Sequence, residues 1–240
     1  MSKSLRLNAA SPGGGGRTPD GYLFLSIGDR WASDPGQDLS DDLGSIIRIR
    51  TDGSMPDDNP FRWLTAMRPE IWSYGHRNPQ GLAFNANTGR LWSDEHGPRG
   101  GDELNLIIRG HNYGWPVITC GIDYSGQPIG IGSERPGMEQ PVRYWAPLSI
   151  APLELAVEGD LSHESLWITA LAGEMLVRLT FGDNCAFSEE HFLKNRLGRL
   201  RDVRIDPSGV LYVLTDGPEG MLYRLERAPD DDADTAKTHL

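Results

Sequence analysis

The sequence predicts an all-β chain assembled from repeated blades, a β-propeller. Three observations predict it. One turn-then-strand pattern occurs four times, each copy has a second apolar run downstream, and no long stretch carries a 3.6-residue apolar period. The 29 glycines and 17 prolines among 240 residues favour many short strands joined by turns over long helices.

The first copy is Asp20-Gly21-Tyr22-Leu23-Phe24-Leu25, with Gly44-Ser45-Ile46-Ile47-Arg48-Ile49 as its partner. The second is Thr88-Gly89-Arg90-Leu91-Trp92-Ser93, followed by Asp102-Glu103-Leu104-Asn105-Leu106-Ile107. Glu164-Ser165-Leu166-Trp167-Ile168-Thr169 is followed by Gly173-Glu174-Met175-Leu176-Val177-Arg178-Leu179, and Ser208-Gly209-Val210-Leu211-Tyr212-Val213 by Gly220-Met221-Leu222-Tyr223-Arg224-Leu225. The turn residues supply positive φ or side-chain bonds to the backbone. The aromatic and aliphatic runs pack on a pleated surface. A blade runs about 40–50 residues with four strands, so about four blades fit, and at least three are expected to show four strands. A generic β-sandwich shares the composition but not the repeat.

The net charge of −11 sets an acidic surface that repels phosphate backbones, so nucleic acid is not an expected partner. No apolar run is long enough to cross a bilayer. Cys120 and Cys185 set no disulfide framework and have no metal-site spacing. Residues 1–19 carry early cations without an apolar stretch, so no secretory signal is read there, and Gly13 to Gly16 has linker composition. The expected division is a disordered or non-homologous segment 1–19, a propeller portion 20–228 and a disordered acidic tail 229–240.

Four stretches carry chemistry. Tyr74-Gly75-His76-Arg77-Asn78-Pro79-Gln80-Gly81 puts a cation, amides and an imidazole in a turn-forming run, and Arg77 offers a planar donor fork for carboxylate or quinone oxygens. Asp94 to Glu103 crowds carboxylates among glycines, a composition that suits Ca²⁺ through carboxylates and main-chain carbonyls without the EF-hand spacing. A solvated acidic loop has the same composition. Zn²⁺ fits poorly, because His76 and His96 lack ligand spacing and no cysteine is near. Asn112-Tyr113-Gly114-Trp115-Pro116 and Gly121 to Gly126 read as a rigid aromatic loop floor or as core. In Gly198-Arg199-Leu200-Arg201-Asp202-Val203, alternation sets Arg199 and Arg201 on one strand face, where they repel unless an anion or solvent intervenes. No dinucleotide, P-loop or nucleophile-elbow motif is present.

These stretches, in this order, resemble the soluble quinoprotein glucose and aldose sugar dehydrogenases. Ile27-Gly28-Asp29-Arg30, Leu43 to Ile46 and Asp52 to Pro60 match as well, and the resemblance covers roughly Gly21 to Arg227. It implies a six-bladed propeller, of which this chain is a partial one, with pyrroloquinoline quinone (PQQ) held on top by calcium. It implies that Gly97 and Pro98 bind the cofactor calcium through their carbonyls and that Glu103 and Tyr113 bind a second calcium. Arg77 and Asn78 match quinone contacts, with Arg77 also catalytic. Arg199 and Arg201 match the pair facing the cofactor carboxylates, and Tyr124 and Ala170-Leu171-Ala172 match further cofactor positions. The glucose branch has a lysine where Ala172 stands, so the chain resembles the aldose branch. The implied reaction oxidises the anomeric hydroxyl of an aldose to a lactone and passes electrons to an external acceptor. A periplasmic or secreted location and a monomeric or homodimeric state go with it.

Two departures set further expectations. The family's catalytic histidine precedes the strand at Gly21–Leu25, where this chain reads Ser11-Pro12-Gly13-Gly14-Gly15-Gly16-Arg17-Thr18-Pro19. The stretch Tyr144 to Pro152 is one residue longer than the family pattern. Impaired turnover is therefore expected: His76 and His96 match cofactor-side and metal-side positions of the family, so neither is an obvious substitute base, and unimpaired turnover would point first to His76. A calcium- or ligand-binding propeller without catalysis and a calcium-dependent lactonase are the alternatives.

Overall fold

The structure, a computed structural model, describes residues 18–32, 34–182 and 186–226. The terminal segments and Cys185 therefore lie outside the described residues, apart from Thr18 and Pro19, while Cys120 is a free thiol. The chain forms four antiparallel sheets, each from consecutive strands. Blade 1 holds β1 (Tyr22–Ile27), β2 (Ser45–Arg50) and β3 (Ile71–Tyr74). Blade 2 holds β4 (Pro79–Asn85), β5 (Arg90–Glu95), β6 (Asp102–Ile107) and β7 (Arg143–Trp145). Blade 3 holds β8 (Pro152–Glu158), β9 (Glu164–Ala170), β10 (Met175–Phe181) and β11 (Phe187–Phe192), and blade 4 holds β12 (Leu200–Ile205), β13 (Leu211–Thr215) and β14 (Leu222–Leu225). The one helical turn among the described residues is Asp34–Gln37.

The four repeat copies become β1, β5, β9 and β13. In blades 2 to 4 that strand is second in its sheet, so β1 also takes the second position. Among the described residues, blade 1 thus has no first strand and blade 4 no fourth. Two sheets, not the expected three, have four strands. The remaining strands lack the turn signal: β4 opens on a proline, β7 is three residues long, and β11 is a largely exposed, charged edge.

Most of the core lies between blades, with one further cluster, Leu25, Ile27, Ile47 and Ile71, inside blade 1. Phe24 and Ile46 of blade 1 pack on Leu82, Leu91 and Ile107 of blade 2. Ala83, Trp92 and Leu104 meet Leu155, Ile168, Val177 and Leu179 of blade 3, and Trp167 and Leu176 of blade 3 meet Leu200, Val203 and Val213 of blade 4. The inner blades are covered on both faces, so β9 is buried along its whole length and reads as an apolar run rather than an alternation.

The first strands of blades 2 to 4 pack side by side. Gly81 of β4 lies against Glu154 and Leu155 of β8, and Asn85, at the end of β4, donates to Gly159 O just past the end of β8. The two strands therefore run in the same direction, and the repeated connection carries this on to β12. One rim thus collects the residues preceding each first strand and the turns after each second strand: Arg77 and Asn78, 96–101, 171–174, Arg199 and Asp216.

Candidate functional site

The rim of blade 2 is built by the long connection 108–142 folding back on the turn before β4. Tyr113 N donates to Tyr74 O and Trp115 N to Gly75 O, both at 2.8 Å. Gly75 has φ +78°, and a Cβ there would sit 2.2 Å from Asn112 Oδ1 and 2.6 Å from Gly114 N. Only glycine lets the loop seat this closely.

Arg77 lies in the resulting cradle, buried. Its guanidinium stands 5.4 Å from the Trp115 ring and 5.6 Å from the Trp31 ring, and Nη1 donates to His96 O at 2.9 Å. Asp29 ties the cradle together: its N–H donates to Arg77 O, and its carboxylate accepts from Trp31 N and Trp115 Nε1. Asn78 accepts from Gln80 Nε2 at 3.0 Å. Asp29, Trp31, Arg77 and Asn78 line an open pocket of about 210 Å³.

Behind this cradle, Glu95 of β5 and Glu103 of β6 are register partners, and both are buried. Burial pushes Glu95 up to about 7, and burial together with the Glu95 charge pushes Glu103 well above the usual carboxylate range. Asp94, beside them in sequence, is also pushed up to about 7 by burial. Glu95 Oε2 and Asp94 Oδ2 are buried without a hydrogen-bond partner. A cavity of about 10 Å³, room for roughly one water-sized occupant, is lined by Glu95, Glu103, Gly97, Tyr113 and Thr119, with Arg77 on its wall. Among the described residues no three His, Cys, Asp or Glu side chains converge as a metal ligand set. A cation here would take two carboxylates and main-chain oxygens, a donor set that suits Ca²⁺ better than Zn²⁺.

His76 does not serve this site as a base. It is wholly buried, stacked on Tyr113 at 4.5 Å, and its Nε2 lies 2.9 Å from Ser73 Oγ. Its Nδ1 is 3.4 Å from Glu95 Oε2, but burial pulls its pKa down to about 3, so the contact is not an ion pair. The Tyr113 hydroxyl donates to Leu106 O and accepts from Ile108 N, which leaves only its main chain for a cation.

Gly97 and Pro98 sit on the turn between β5 and β6. Asp102 fixes it: Oδ1 accepts from Gly97 N, while Oδ2 accepts from Ser149 Oγ and from the N–H groups of Ile150 and Ala151. This staple joins the blade 2 turn to the start of blade 3. There Leu171 N donates to Ala151 O and Ala172 N to Ile150 O. Ala170 and Leu171 are buried, and Ala172 is exposed. Tyr124 is exposed, its ring 6.3 Å from that of Trp31.

Arg199 and Arg201 do share a face, and the anion between them is internal. Arg199 Nε lies 3.0 Å from Asp216 Oδ2, and Arg201 Nε lies 2.7 Å from Oδ1. Their juxtaposition therefore needs no bound polycarboxylate to explain it. Two cations and one carboxylate still leave one net positive charge on that rim.

Sequence reasoning passed over Trp31, Glu95 as the partner of Glu103, and the ties made by Asp29, Asp102 and Asp216. The crowding of carboxylates in 94–103 was the signal for Glu95. The others depend on register or on contacts between distant loops.

The Glucose / Sorbosone dehydrogenase family model matches residues 15–224. The chain belongs to the glucose/sorbosone dehydrogenase family. It is 41% identical over 210 residues to the aldose sugar dehydrogenase YliI of Escherichia coli, covering 85% of this chain and 57% of YliI. A crystal structure of a glucose dehydrogenase superposes with TM-score 0.83 at 44% identity, covering 88% of this chain and 63% of that one. The PQQ-bound form of an aldose sugar dehydrogenase from Streptomyces coelicolor superposes at TM-score 0.68 and 30% identity, covering 86% of this chain and 59% of that one. The chain thus spans little more than half the length of the relatives it matches.

Proposed function

We propose that this chain forms the cofactor side of a quinone-dependent aldose dehydrogenase, which oxidises an anomeric hydroxyl to a lactone with PQQ and Ca²⁺ bound at the rim. The observation that carries the reading is the Arg77 cradle: a buried guanidinium beside the buried Trp115 indole, opening on a pocket and backed by two carboxylates whose burial calls for a cation.

The residues fit both groups. Glu95 Oε2 is buried without a donor, and a divalent cation would satisfy it and hold both carboxylates ionised. Glu103 and the Tyr113 main chain would hold one calcium, and the Gly97 and Pro98 carbonyls the cofactor calcium. When bound, PQQ supplies the two-electron acceptor for hydride from the anomeric carbon. Arg77, with Nη1 tied to His96 O, has further N–H groups that would donate to a quinone oxygen and stabilise negative charge there. Asn78 adds an amide, Tyr124 and Ala172 offer exposed surface, and Ala170 and Leu171 act through their backbone. Asp216 holds Arg199 and Arg201 side by side for the cofactor carboxylates. An external electron acceptor and a location outside the cytoplasm belong to the same reading.

The anomeric hydroxyl proton needs a base. His76 is sealed in the core. His96 Nε2 is buried without a partner, and burial lowers its pKa. Neither reaches a sugar in the open pocket, so the chain expressed as written is expected to turn sugar over poorly. The test is reconstitution with PQQ and Ca²⁺, followed by the absorbance of bound cofactor. Uptake that needs calcium and falls at least tenfold in Arg77→Ala is expected. A wild-type chain that takes up no PQQ overturns the reading.

A further inference from the structure

The turn after β1 presents a tryptophan that neither the fold nor the proposed mechanism uses. Trp31 is 80% exposed, so packing does not explain it. Its backbone is left-handed, φ 68°, as is that of Arg30, φ 56°. Bulky side chains adopt that region only where the surroundings impose it, commonly at functional sites. Here Asp29 imposes it, with one carboxylate oxygen on Trp31 N–H at 3.0 Å and the other on the Trp115 indole at 2.8 Å.

The outcome is a fixed indole with an open face at the mouth of the Arg77 pocket. The Trp31 ring stands 5.6 Å from the Arg77 guanidinium and 6.3 Å from the Tyr124 ring, tilted by 38°. That gap is less than the roughly 7–8 Å that two carbon contact distances require, so no flat ring slides between the two aromatics. They form an open corner instead. The pocket beside it, about 210 Å³, is smaller than the 300 Å³ and upward typical for drug-sized ligands, and Asp29, Arg30, Arg77 and Asn78 supply its polar groups. An apolar face beside donors and acceptors suits an amphipathic ring, with C–H groups against the indole and hydroxyls toward the polar side chains.

We propose that Trp31 is a substrate-binding residue whose indole carries the ring of the aldose, so that it sets which sugars the site accepts. The proposal rests on the quinone-dependent reading above.

The experiment uses the full chain loaded with PQQ and Ca²⁺, bound cofactor being read by absorbance and glucose binding by calorimetry, in wild type, Trp31→Ala and Trp31→Phe. Trp31→Ala should take up PQQ as wild type does and bind glucose about tenfold more weakly, the upper end for one aromatic contact. Trp31→Phe should recover most of that loss. Because the side chain is exposed, the melting temperature of the cofactor-free variants should match wild type. Equal glucose affinity in wild type and Trp31→Ala overturns the proposal. So does parallel loss of PQQ, which would make Trp31 a cofactor residue. Unchanged glucose binding with slower reduction of a dye acceptor also overturns it, by assigning Trp31 to the acceptor. A wild-type chain without PQQ uptake defeats the underlying reading, and this is seen before any variant is compared.

Discussion

Two groups of buried carboxylates in this molecule have opposite surroundings. Glu164, wholly buried, accepts from Asn85 Nδ2, Thr88 Oγ1 and Arg90 Nη1, and Asp102 accepts from three backbone N–H groups and a serine hydroxyl. Glu95 and Glu103 are cross-strand partners; Asn105 Nδ2 donates to Glu103 Oε2 at 3.2 Å, while Glu95 Oε2 is buried without a partner. A buried carboxylate with a full set of donors is a structural tie. One without them is high in energy when ionised and is stabilised by a proton or a cation. The difference separates scaffold from site inside a single blade, since Asp102 and Glu103 are neighbours in sequence.

The sharpest way to break that comparison is Glu164→Ala. It strands Arg90 and two further donors and should cost about 3–5 kcal/mol in chemical denaturation. A loss below 1 kcal/mol would mean that the donors do not depend on it. Glu103→Gln should behave in the opposite way. Metal-free, it removes a buried repulsion and should leave stability equal or higher. If Ca²⁺ binds at this pair as proposed, Glu103→Gln should abolish the stabilisation that a ligand supplies at a hundredfold excess over Kd, about 2.7 kcal/mol. Calorimetric calcium binding that survives Glu103→Gln would remove that residue from the ligand set.

Glu154 is the intermediate case. Arg204 lies 3.4 Å away, yet burial wins and pushes Glu154 up to about 8. A carboxyl raised in the folded state binds more protons folded than unfolded, so its contribution is lost as pH climbs from about 4.5 through 8. Stability should fall by on the order of 5 kcal/mol from this group across that range, and Glu154→Gln should flatten the slope. His76 acts in the other direction, losing stability as pH drops below 6.5 toward 3. The window above pH 6.5 therefore isolates the carboxylates. The smallest effect belongs to Asp216, a half-buried tie between exposed Arg199 and half-buried Arg201 at the surface. Asp216→Asn should move the melting temperature slightly, and the difference should vanish in 1 M salt.

The sequence was readable where local chemistry decides structure. Turns such as Thr88-Gly89 and Ser208-Gly209 announce a second strand, and the apolar run after each announces its partner. First and fourth strands are specified by what packs on them: β8 is covered by its neighbours on both faces, and β11 is an exposed edge, so neither shows a clean pattern. At the site, Arg77 and Asn78 stood out by residue type. Trp31 did not, because its significance lies in an approach to Arg77 across 46 positions of chain. The arginine pair was read correctly as a face and incompletely as a charge, since Asp216 arrives from another strand.

Three of the four apolar clusters join a pair of adjacent blades, and the fourth lies within blade 1. Stability is then a chain of nearest-neighbour couplings, and the couplings are unequal in position. Blades 2 and 3 are each clamped from both sides, whereas blades 1 and 4 each have one such clamp among the described residues. Amide hydrogens of Leu104, Ile168 and Val177 should be the last to exchange with solvent and should report global opening. Those of β1 and β14 should exchange through partial unzipping that leaves the middle pair intact. The Glu95–Glu103 pair sits in blade 2, inside the slow-exchanging block, so a cation bound there would be held by the part of the molecule that opens least often.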